Sequence, residues 1–529
     1  MSDNKYTRKD ALKAMGGFAL GSITYPFLRP PFKKKRPNIV VIMCDQFRAD
    51  VCKREGFELD TTPFLDRLAE NGTWFNKAYT SAPACVPARA SMLTGRFPNA
   101  TRVKSNHNIQ DATFEADLID VVKSQGYRTA LVGKNHSYLK PDKLDYWSEY
   151  GHLGEREPDS SKEKAFNKYL RGTSFYAEMD PAPFPAEMQQ PARIVRDAES
   201  WIGDDSKNNS PFFLWMSIPE PHNPYQVSEP YYSMFPPETL PKPLAGSDAL
   251  SKKGNKYVIQ KKLMKMGYPN VDKQIPRIRS NYFGMMRLID DQIKKFVSYL
   301  KRQQLYEDTV IVFLADHGDY AGEYGLIKKG AGVPECLTRI PMFWHGPGIQ
   351  QSRAAHPSHV SITDIMPTIC DMIGTPLPEG VQGRSLWPML QDNSYHTDEF
   401  DSVIVQQGFG GLDYKSIDEL DPYKEGCLVK GETKFNELNS WSQSGILRML
   451  RKGDWKLVYD MQGRGKMYNL AEDRAELNDL FDESNFITKK MELIQDMLAW
   501  ELKTQDPLPL PRKQYVFKRG PKNYWAPYK

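Results

Sequence analysis

Apolar runs alternate with amphipathic stretches along the chain from Pro37 onward. This alternation predicts an α/β fold with a large, mostly parallel central sheet flanked by helices. Four of the apolar runs are predicted to be buried strands, over residues 38–43, 129–133, 212–218 and 309–315. In open α/β sheets, ligands bind outside the edge formed by the carboxyl ends of the strands. We therefore expect the polar groups that follow these strands to gather in one place.

Acids, bases and metal-type ligands follow all four predicted strands. They are Asp45 and Gln46 after the first strand, Lys134 and His136 after the second, His222 after the third, and Asp316 and His317 after the fourth. A single aspartate in such a position is most often the N-cap of the next helix. Four such strand endings together favour an active site at this edge of the sheet.

The remaining segments give weaker patterns. Residues 140–280 are rich in Pro, Tyr, Trp and Lys, and apart from the third strand we expect insertions and loops there. Helices are predicted over 276–300, over 359–374 and near 489–502, and short strands over 453–460 and 465–470. The predicted domains are an export signal and linker at 1–36, a catalytic domain at 37–375, and a smaller C-terminal α+β subdomain with substrate-lining loops at 376–529.

The N-terminus has the pattern of an export signal. Lys5, Arg8 and Lys9 precede a mildly apolar run over residues 11–23, which is too short and glycine-rich to span a bilayer. The order of residues is similar to a twin-arginine signal in which Lys9 replaces the second arginine; a Sec signal and an amphipathic helix are the alternatives. Because no later apolar run is long enough to cross a membrane, we expect no transmembrane segment and a periplasmic or otherwise exported protein.

The charge and the cysteine content of the chain argue against several classes of protein. The 71 basic and 66 acidic residues leave a net charge of +5, which argues against a nucleic-acid-binding protein but permits a local basic patch for an anionic substrate. The six cysteines are too few for a disulfide scaffold in a chain of 529 residues, and they form no CxxC pair of the kind found in structural zinc sites.

One cysteine stands in an unusual context. Residues 83–98 read PACVPARASMLTGRFP, which we interpret as a polar loop in which Cys85 has few apolar neighbours. The groups expected near it include Asp45, Gln46 and Asp316, which are hard ligands suited to Ca²⁺ or Mg²⁺, while His317 keeps Mn²⁺ as an alternative. A thiolate suits so hard a site poorly. Either Cys85 takes no part in the site or it is chemically modified.

The stretch Cys85-Val-Pro-Ala-Arg89, extended by ASMLTGR, resembles the signature of the formylglycine-dependent sulfatases of the alkaline phosphatase-like superfamily. Further similar segments follow in the family's order: PNIVVIMCDQ, GYRTALVGKNH, PEPHNPY, FLADHGDYAGEYGLIKKG, TRIPMF, ITDIMPTI and GRSLWPML. The resemblance extends from residue 36 to the neighbourhood of residue 478. It implies an alkaline phosphatase-like fold and the hydrolysis of sulfate esters, here on a sulfated carbohydrate.

The resemblance also implies a modified nucleophile. A formylglycine-generating enzyme would oxidise Cys85 to formylglycine (3-oxoalanine), an aldehyde that exists as a hydrate. One metal-bound hydroxyl of the hydrate attacks sulfur and expels the alcohol, which leaves sulfate covalently attached to the same carbon. Deprotonation of the second hydroxyl then restores the aldehyde and releases sulfate. A serine or an unmodified cysteine lacks this second hydroxyl.

Site roles follow from the matching positions of the family. One divalent metal is expected, Ca²⁺ in the first place, held by Asp45, Gln46, the modified Cys85, Asp316 and His317. Arg89 would support the hydrate and the metal, while His136 would assist the formylglycine hydroxyl. Lys134 and Lys329 would bind the sulfate oxygens, with Lys328 as a rival to Lys329, and His222 would protonate the leaving oxygen.

Two pairs of residues depart from the pattern of many relatives. Asp45-Gln46 stands where those relatives have two aspartates, and Asp316-His317 stands where they have Asp-Asn. The loss of a carboxylate weakens the expectation of tight calcium binding. The same set is similar to that of formylglycine-dependent phosphonate monoester and phosphodiester hydrolases, which are the alternative enzyme class. A binding protein that kept the fold without catalysis is the third hypothesis, and the intact set of catalytic-type residues argues against it.

Overall fold

The computed structural model describes residues 36–204, 210–330, 332–408 and 445–505. The predicted export signal therefore lies almost entirely outside the described residues. Thirteen strands are found within the described ranges: β1 Asn38–Asp45, β2 Thr73–Phe75, β3 Ala78–Tyr79, β4 Arg128–Gly133, β5 Tyr146–Glu149, β6 Phe212–Pro221, β7 Thr309–Ala315, β8 Met342–His345, β9 Val360–Ser361, β10 Ser402–Gln407, β11 Leu447–Lys452, β12 Trp455–Asp460 and β13 Gly465–Asn469.

Seven of these strands form the central sheet, in the order β2-β8-β7-β1-β6-β4-β5. Neighbours from β7 to β5 pair in parallel, whereas β8 runs antiparallel to both β7 and β2. The four strands predicted from sequence are β1, β4, β6 and β7, which lie side by side in the middle of this sheet. Their near-continuous apolar sequences reflect burial on both faces. The predicted fold class is confirmed.

The register of the central strands aligns their carboxyl ends. Cys44 of β1 lies opposite Ala315 of β7 and Ile218 of β6, and Gly133 of β4 lies opposite Ser217 of β6. β7 ends at Ala315 and β4 at Gly133, while β1 and β6 continue to Asp45 and Pro221, which pair with each other, so all four strands end at the same edge of the sheet. The predicted gathering of the strand ends is found.

Helices cover both faces of the sheet. The described α-helices are α1 Pro63–Glu70, α2 Cys85–Thr94, α3 Pro98–Thr101, α4 Leu118–Ser124, α5 Ser161–Gly172, α6 Gln190–Asp204, α7 Tyr231–Met234, α8 Leu250–Lys253, α9 Asn255–Gly267, α10 Val271–Arg302, α11 Glu335–Thr338, α12 Ile365–Met372, α13 Trp387–Leu390 and α14 Ile487–Thr504. They enclose one large apolar core that is centred on β1, β6 and β7. None of the described helices is long and apolar enough to cross a membrane.

The prediction of insertions and loops over 140–280 is wrong in part. Three substantial helices, α5, α6 and α9, lie in that segment. α5 begins at a capping box formed by Ser160 and Glu163, and α6 packs an amphipathic face onto β6. The helix predicted at 276–300 is longer than expected, because α10 begins at Val271 and carries Pro276 in its second turn. Over 359–374 only α12 is α-helical, preceded by β9 and a 3₁₀ turn.

A smaller antiparallel sheet, β10-β11-β12-β13, lies C-terminal to the central sheet. The predicted strands at 453–460 and 465–470 are its β12 and β13, and the predicted helix near 489–502 is α14. Leu493, Met497 and Trp500 of α14 pack against Leu450 and Leu457 of the small sheet. This arrangement confirms a C-terminal α+β part. The domain boundary between 375 and 376 stays a prediction.

Candidate active site

Cys85 is the first residue of α2 and is completely buried. The preceding Ala84 is extended, and Pro87 lies in the first turn of the helix. Our interpretation of this stretch as a polar loop is therefore wrong. A proline in the first turn removes no helical hydrogen bond, because amide groups there have no partner within the helix. The Cys-Val-Pro sequence is thus compatible with a helix start.

The Cys85 sulfur lies among cationic and acidic groups from the ends of the central strands. Its Sγ is 3.1 Å from Lys329 Nζ, 3.8 Å from Lys134 Nζ, 3.3 Å from His317 Nε2 and 3.5 Å from Asp45 Oδ1. Burial and Asp45 raise the pKa of the Cys85 thiol, but Lys134, Lys329 and His317 outweigh them and hold it well below its usual value. The site therefore favours a negative charge on the group at position 85.

Arg89 holds the two buried aspartates. It lies one helical turn after Cys85, and its guanidinium donates to Asp316 Oδ2 at 3.0 Å and to Asp45 Oδ2 at 3.3 Å. It also donates to Ser217 Oγ at 2.8 Å. A guanidinium presents five donors in a rigid plane, which suits it to several acceptors at once. Arg89 thereby fixes both carboxylates relative to α2.

Four residues offer ligand atoms that converge on one point. One side-chain atom each of Asp45, Cys85, Asp316 and His317 lies within 4.8 Å of the other three, and all four residues are buried. The Nδ1 of His317 is 2.8 Å from the Gly318 carbonyl oxygen, so it carries the hydrogen and leaves Nε2 facing the cluster. Metal-binding histidines are typically oriented by such a bond.

The charged groups of this cluster shift one another's pKa. Burial lowers the pKa of His317, but Asp316 and Cys85 outweigh it and raise that pKa to about 9. Burial raises the pKa of Asp45, but Lys134, His222 and Lys329 hold it well below its usual value. Two carboxylates and an imidazole whose Nε2 faces them fit a divalent metal, so the residues present are compatible with the expected ion.

Gln46 lies beside this cluster with its carboxamide in a defined orientation. Its Oε1 accepts from Lys329 Nζ at 2.9 Å, and its Nε2 donates to Asp319 Oδ2 at 2.7 Å. The backbone of Gln46 has a φ of 63°, in the left-handed region that is uncommon for a residue with a side chain. The role of Gln46 as a metal ligand stays a prediction.

Two lysine side chains, those of Lys134 and Lys329, lie next to the cluster. Lys134 forms a close ion pair with Asp45, and Lys329 contacts both Cys85 and the Nε2 of His222, at 3.3 Å from the latter. Lys328 points elsewhere, since its Nζ donates to Tyr268 Oη at 3.1 Å. Of the two rival lysines, the geometry thus brings Lys329 to the site.

The rings of three histidines lie close together near Cys85. Two of them, His136 and His222, were identified from the sequence. The ring of His152 lies 5.0 Å from the ring of His136 and 4.9 Å from that of His222. Burial and Lys134 lower the pKa of His136, and the nearby Cys85 partly offsets them. Burial, Lys134 and His222 lower the pKa of His152 well below its usual value. His152 follows β5, whose half-buried sequence gave no strand prediction, so no pattern placed it here.

Sequence reasoning also missed residues that support the site from behind. Asp319 accepts from both Gln46 and Tyr225, and Ser217 accepts from Arg89. Asp319 lies three residues after Asp316, and Tyr225 three residues after His222, so proximity in the sequence was the one available signal. Their contacts join segments about a hundred residues apart or more, which periodicity does not reveal.

Comparison with known proteins gives a consistent family. The family model for sulfatases matches residues 37–375. An arylsulfatase of Clostridium perfringens is 25% identical over 513 residues, covering 89% of this chain and 95% of the arylsulfatase.

Solved structures share the fold. The phosphonate monoester hydrolase of Agrobacterium radiobacter superposes with a TM-score of 0.70 at 20% identity, covering 89% of this chain and 97% of that one. BT4656, solved with its substrate D-glucosamine-2-N,6-O-disulfate, superposes with a TM-score of 0.67 at 19% identity, covering 89% and 98% of the two chains.

Proposed function

Since the chain belongs to the sulfatase family, a family of sulfuric ester hydrolases, we propose that it removes sulfate from a sulfated carbohydrate with the modified Cys85 as nucleophile. The observation that carries the proposal is the position of Cys85, which lies between two lysine ammonium groups and against a cluster of metal-type ligands. The substrate class is supported by the BT4656 relative, which binds a sulfated glucosamine.

The lysines are suited to bind the sulfate group. Lys134 directly follows β4 and Lys329 lies in the segment after β7, and both ammonium groups contact Cys85, so a sulfate in contact with that residue would meet two ammonium groups. Preorganised charge of this kind stabilises the negative charge that develops on the sulfate oxygens. Burial strengthens the effect because water screens little there.

We propose that His222 donates a proton to the leaving oxygen. Its Nδ1 lies 2.6 Å from the Asn223 carbonyl oxygen and therefore carries a hydrogen, which leaves Nε2 facing the pocket beside Lys329. A proton on Nε2 would be transferred to the sugar oxygen as its bond to sulfur breaks. His136 is positioned on the Cys85 side, where it would accept a proton from the hydrated aldehyde.

The proposed metal would be held by Asp45, Gln46, Asp316 and His317 together with the modified Cys85. When bound, a divalent ion would lower the pKa of the hydrate hydroxyl and neutralise charge on the sulfate. We propose Ca²⁺, with Mg²⁺ and Mn²⁺ as the alternatives. Export, by a twin-arginine or a Sec signal, and maturation by a formylglycine-generating enzyme complete the proposal.

The test is sulfate release from a panel of sulfated mono- and oligosaccharides, with the aldehyde at position 85 verified by mass. Release from one sugar that is lost in Cys85→Ala would support the proposal and identify the substrate. Fully matured protein that releases no sulfate from any member of a broad panel would contradict it.

A phosphonate monoester or phosphodiester hydrolase is the second candidate. It is supported by the superposition on such a hydrolase and by the Asp45-Gln46 and Asp316-His317 pairs. Matched sulfate monoesters and phosphodiesters of the same alcohol separate the two functions. A higher kcat/KM on the phosphodiester would favour this candidate.

A further inference from the structure

Two hydrogen bonds fix the orientation of the Gln46 carboxamide. The atom 2.9 Å from Lys329 Nζ must be the oxygen, because an ammonium group only donates. The atom 2.7 Å from Asp319 Oδ2 must be the nitrogen if Asp319 is a carboxylate, because a carboxylate only accepts. The two contacts lie on opposite sides of the amide and require the same orientation.

The hydrogen bonds around Asp319 identify it as a carboxylate. Tyr225 Oη donates to Oδ2 at 2.7 Å, and the amide of Ala321 donates to Oδ1 at 2.7 Å. The Tyr225 oxygen itself accepts from the amide of Lys328 at 2.8 Å, which directs its own hydrogen toward Asp319. With Gln46, three donors therefore point at the two oxygens of Asp319.

The three side chains are closed off from solvent. Gln46, Tyr225 and Asp319 are all completely buried. A buried polar group cannot replace a lost partner with bulk water, so each bond in the set constrains the others. The carboxamide oxygen therefore points toward the Lys329 ammonium, which also contacts Cys85.

We propose that Asp319 is a positioning residue that, with Tyr225, holds the oxygen of Gln46 on the side of Lys329 and Cys85, at the edge of the metal-type ligand cluster, and requires a carboxamide at position 46. The inference rests on the metal site of the proposed function. A carboxylate at position 46 would face Asp319 across the distance of a hydrogen bond without a hydrogen between them, so it would be repelled or would take up a proton. The carboxamide is thus matched to Asp319.

The test is calorimetric titration of the full chain with CaCl₂, and separately with MnCl₂, at one verified state of Cys85. Asp319→Asn is expected to weaken cation affinity by about 10- to 100-fold, because an amide cannot accept at both oxygen positions. Gln46→Glu is expected to weaken it by a similar factor. The double variant should bind at least about tenfold more tightly than Gln46→Glu, since the amide introduced at position 319 can donate to the carboxylate introduced at position 46.

Two controls keep the test independent of folding. Asp290→Asn removes a buried carboxylate that accepts the backbone amides of Phe64 and Leu65 at the start of α1, and it should leave cation affinity unchanged. Tyr225→Phe keeps the ring and removes one donor to Asp319, so it should weaken affinity by about three- to tenfold even if Asp319→Asn fails to fold.

The outcomes separate this inference from the proposed function. Cation binding by the wild type that is unchanged in Asp319→Asn or in Tyr225→Phe would overturn the inference alone. Strictly additive effects in the double variant would overturn it as well. A wild type that binds neither cation in either state of Cys85 would overturn both the metal site and the inference.

Discussion

At the scale of single residues, the site is a balance of buried charges. Asp45 and Asp316 are completely buried, and each accepts from Arg89, which is itself completely buried. Removing one member of such a group of ion pairs leaves a buried charge without a partner. The free-energy cost of that charge is far larger than the net stabilisation that the intact pair provides. Arg89 therefore fixes the positions of both carboxylates in the site.

The neighbouring lysines Lys328 and Lys329 provide a matched pair. We expect Lys329→Ala to lower kcat/KM for a sulfated substrate by about 10²- to 10³-fold, because its ammonium lies 3.1 Å from Cys85. Lys328→Ala should change kcat/KM by less than about threefold, since its ammonium binds Tyr268 instead. Steady-state kinetics on protein of equal aldehyde content checks this, and equal losses in the two variants would contradict it.

His152 gives a prediction about substrate binding. Its half-buried ring lies between His136 and His222, and Phe175, 38% exposed, packs beyond it. We expect His152→Ala to raise KM by about tenfold, equivalent to about 1.4 kcal/mol, with a smaller effect on kcat. Steady-state kinetics checks this, with His152→Phe as the control that keeps a ring. A lower kcat at unchanged KM would place His152 at the reacting atoms instead.

At the scale of elements, the strands were predictable and several helices were not. A strand buried on both faces reads as an unbroken apolar run, so β1, β4, β6 and β7 were found with the residues at their ends. Helix α5 is mostly polar, and the apolar residues of α9 follow no clear helical period, so neither helix was recognised among the surrounding prolines and aromatic residues. The residues that pack against such helices come from distant segments of the chain, so the hydrophobic periodicity of the helix does not reveal them.

The start of α1 shows such a distant partner. Thr62 at its N-cap makes no side-chain capping bond, and the amides of Phe64 and Leu65 instead donate to Asp290 of α10, at 3.0 and 2.7 Å. A carboxylate at a helix N-terminus is favourable, and here another helix supplies it. Burial nevertheless raises the pKa of Asp290 to about 7.

This raised pKa predicts a pH dependence of stability. Between pH 4 and 7 the folded state holds a proton on Asp290 that the unfolded state has lost, so the contribution of this group to stability falls as pH rises. Relative to Asp290→Asn, the wild type should lose about 2 to 3 kcal/mol between pH 5 and 8. Urea unfolding at both pH values measures this, with Asp291→Asn as the control. Equal pH dependence in wild type and Asp290→Asn would contradict it.

At the scale of the whole molecule, Glu476 joins the C-terminal part to the central part. It is almost completely buried, and its carboxylate accepts from Lys253 of α8, Lys456 of β12 and the amide of Glu335 in α11, at 3.2, 3.2 and 2.7 Å. Burial raises the pKa of Glu476, but Lys253 and Lys456 hold it below its usual value. One carboxylate thus ties three elements together.

Loss of this junction should affect the whole fold. We expect Glu476→Ala to lower the free energy of unfolding by about 3 to 5 kcal/mol, because two buried ammonium groups lose their shared partner. The control is Glu501→Ala, whose partner Arg448 is part of a more exposed pair and whose cost should stay below about 1 kcal/mol. Urea unfolding measures both variants, and similar losses would contradict the assigned importance of Glu476.

The complete burial of Cys85 has a consequence for the order of events in the life of the chain. A catalyst of protein size cannot reach a side chain with no exposed surface at the first turn of a packed helix. A catalyst of this kind would therefore have to act before residues 83–98 have folded. If activity requires the proposed oxidation of Cys85, the fraction of active molecules would depend on whether oxidation precedes folding, and a variant that folds faster would contain more unmodified, inactive chains.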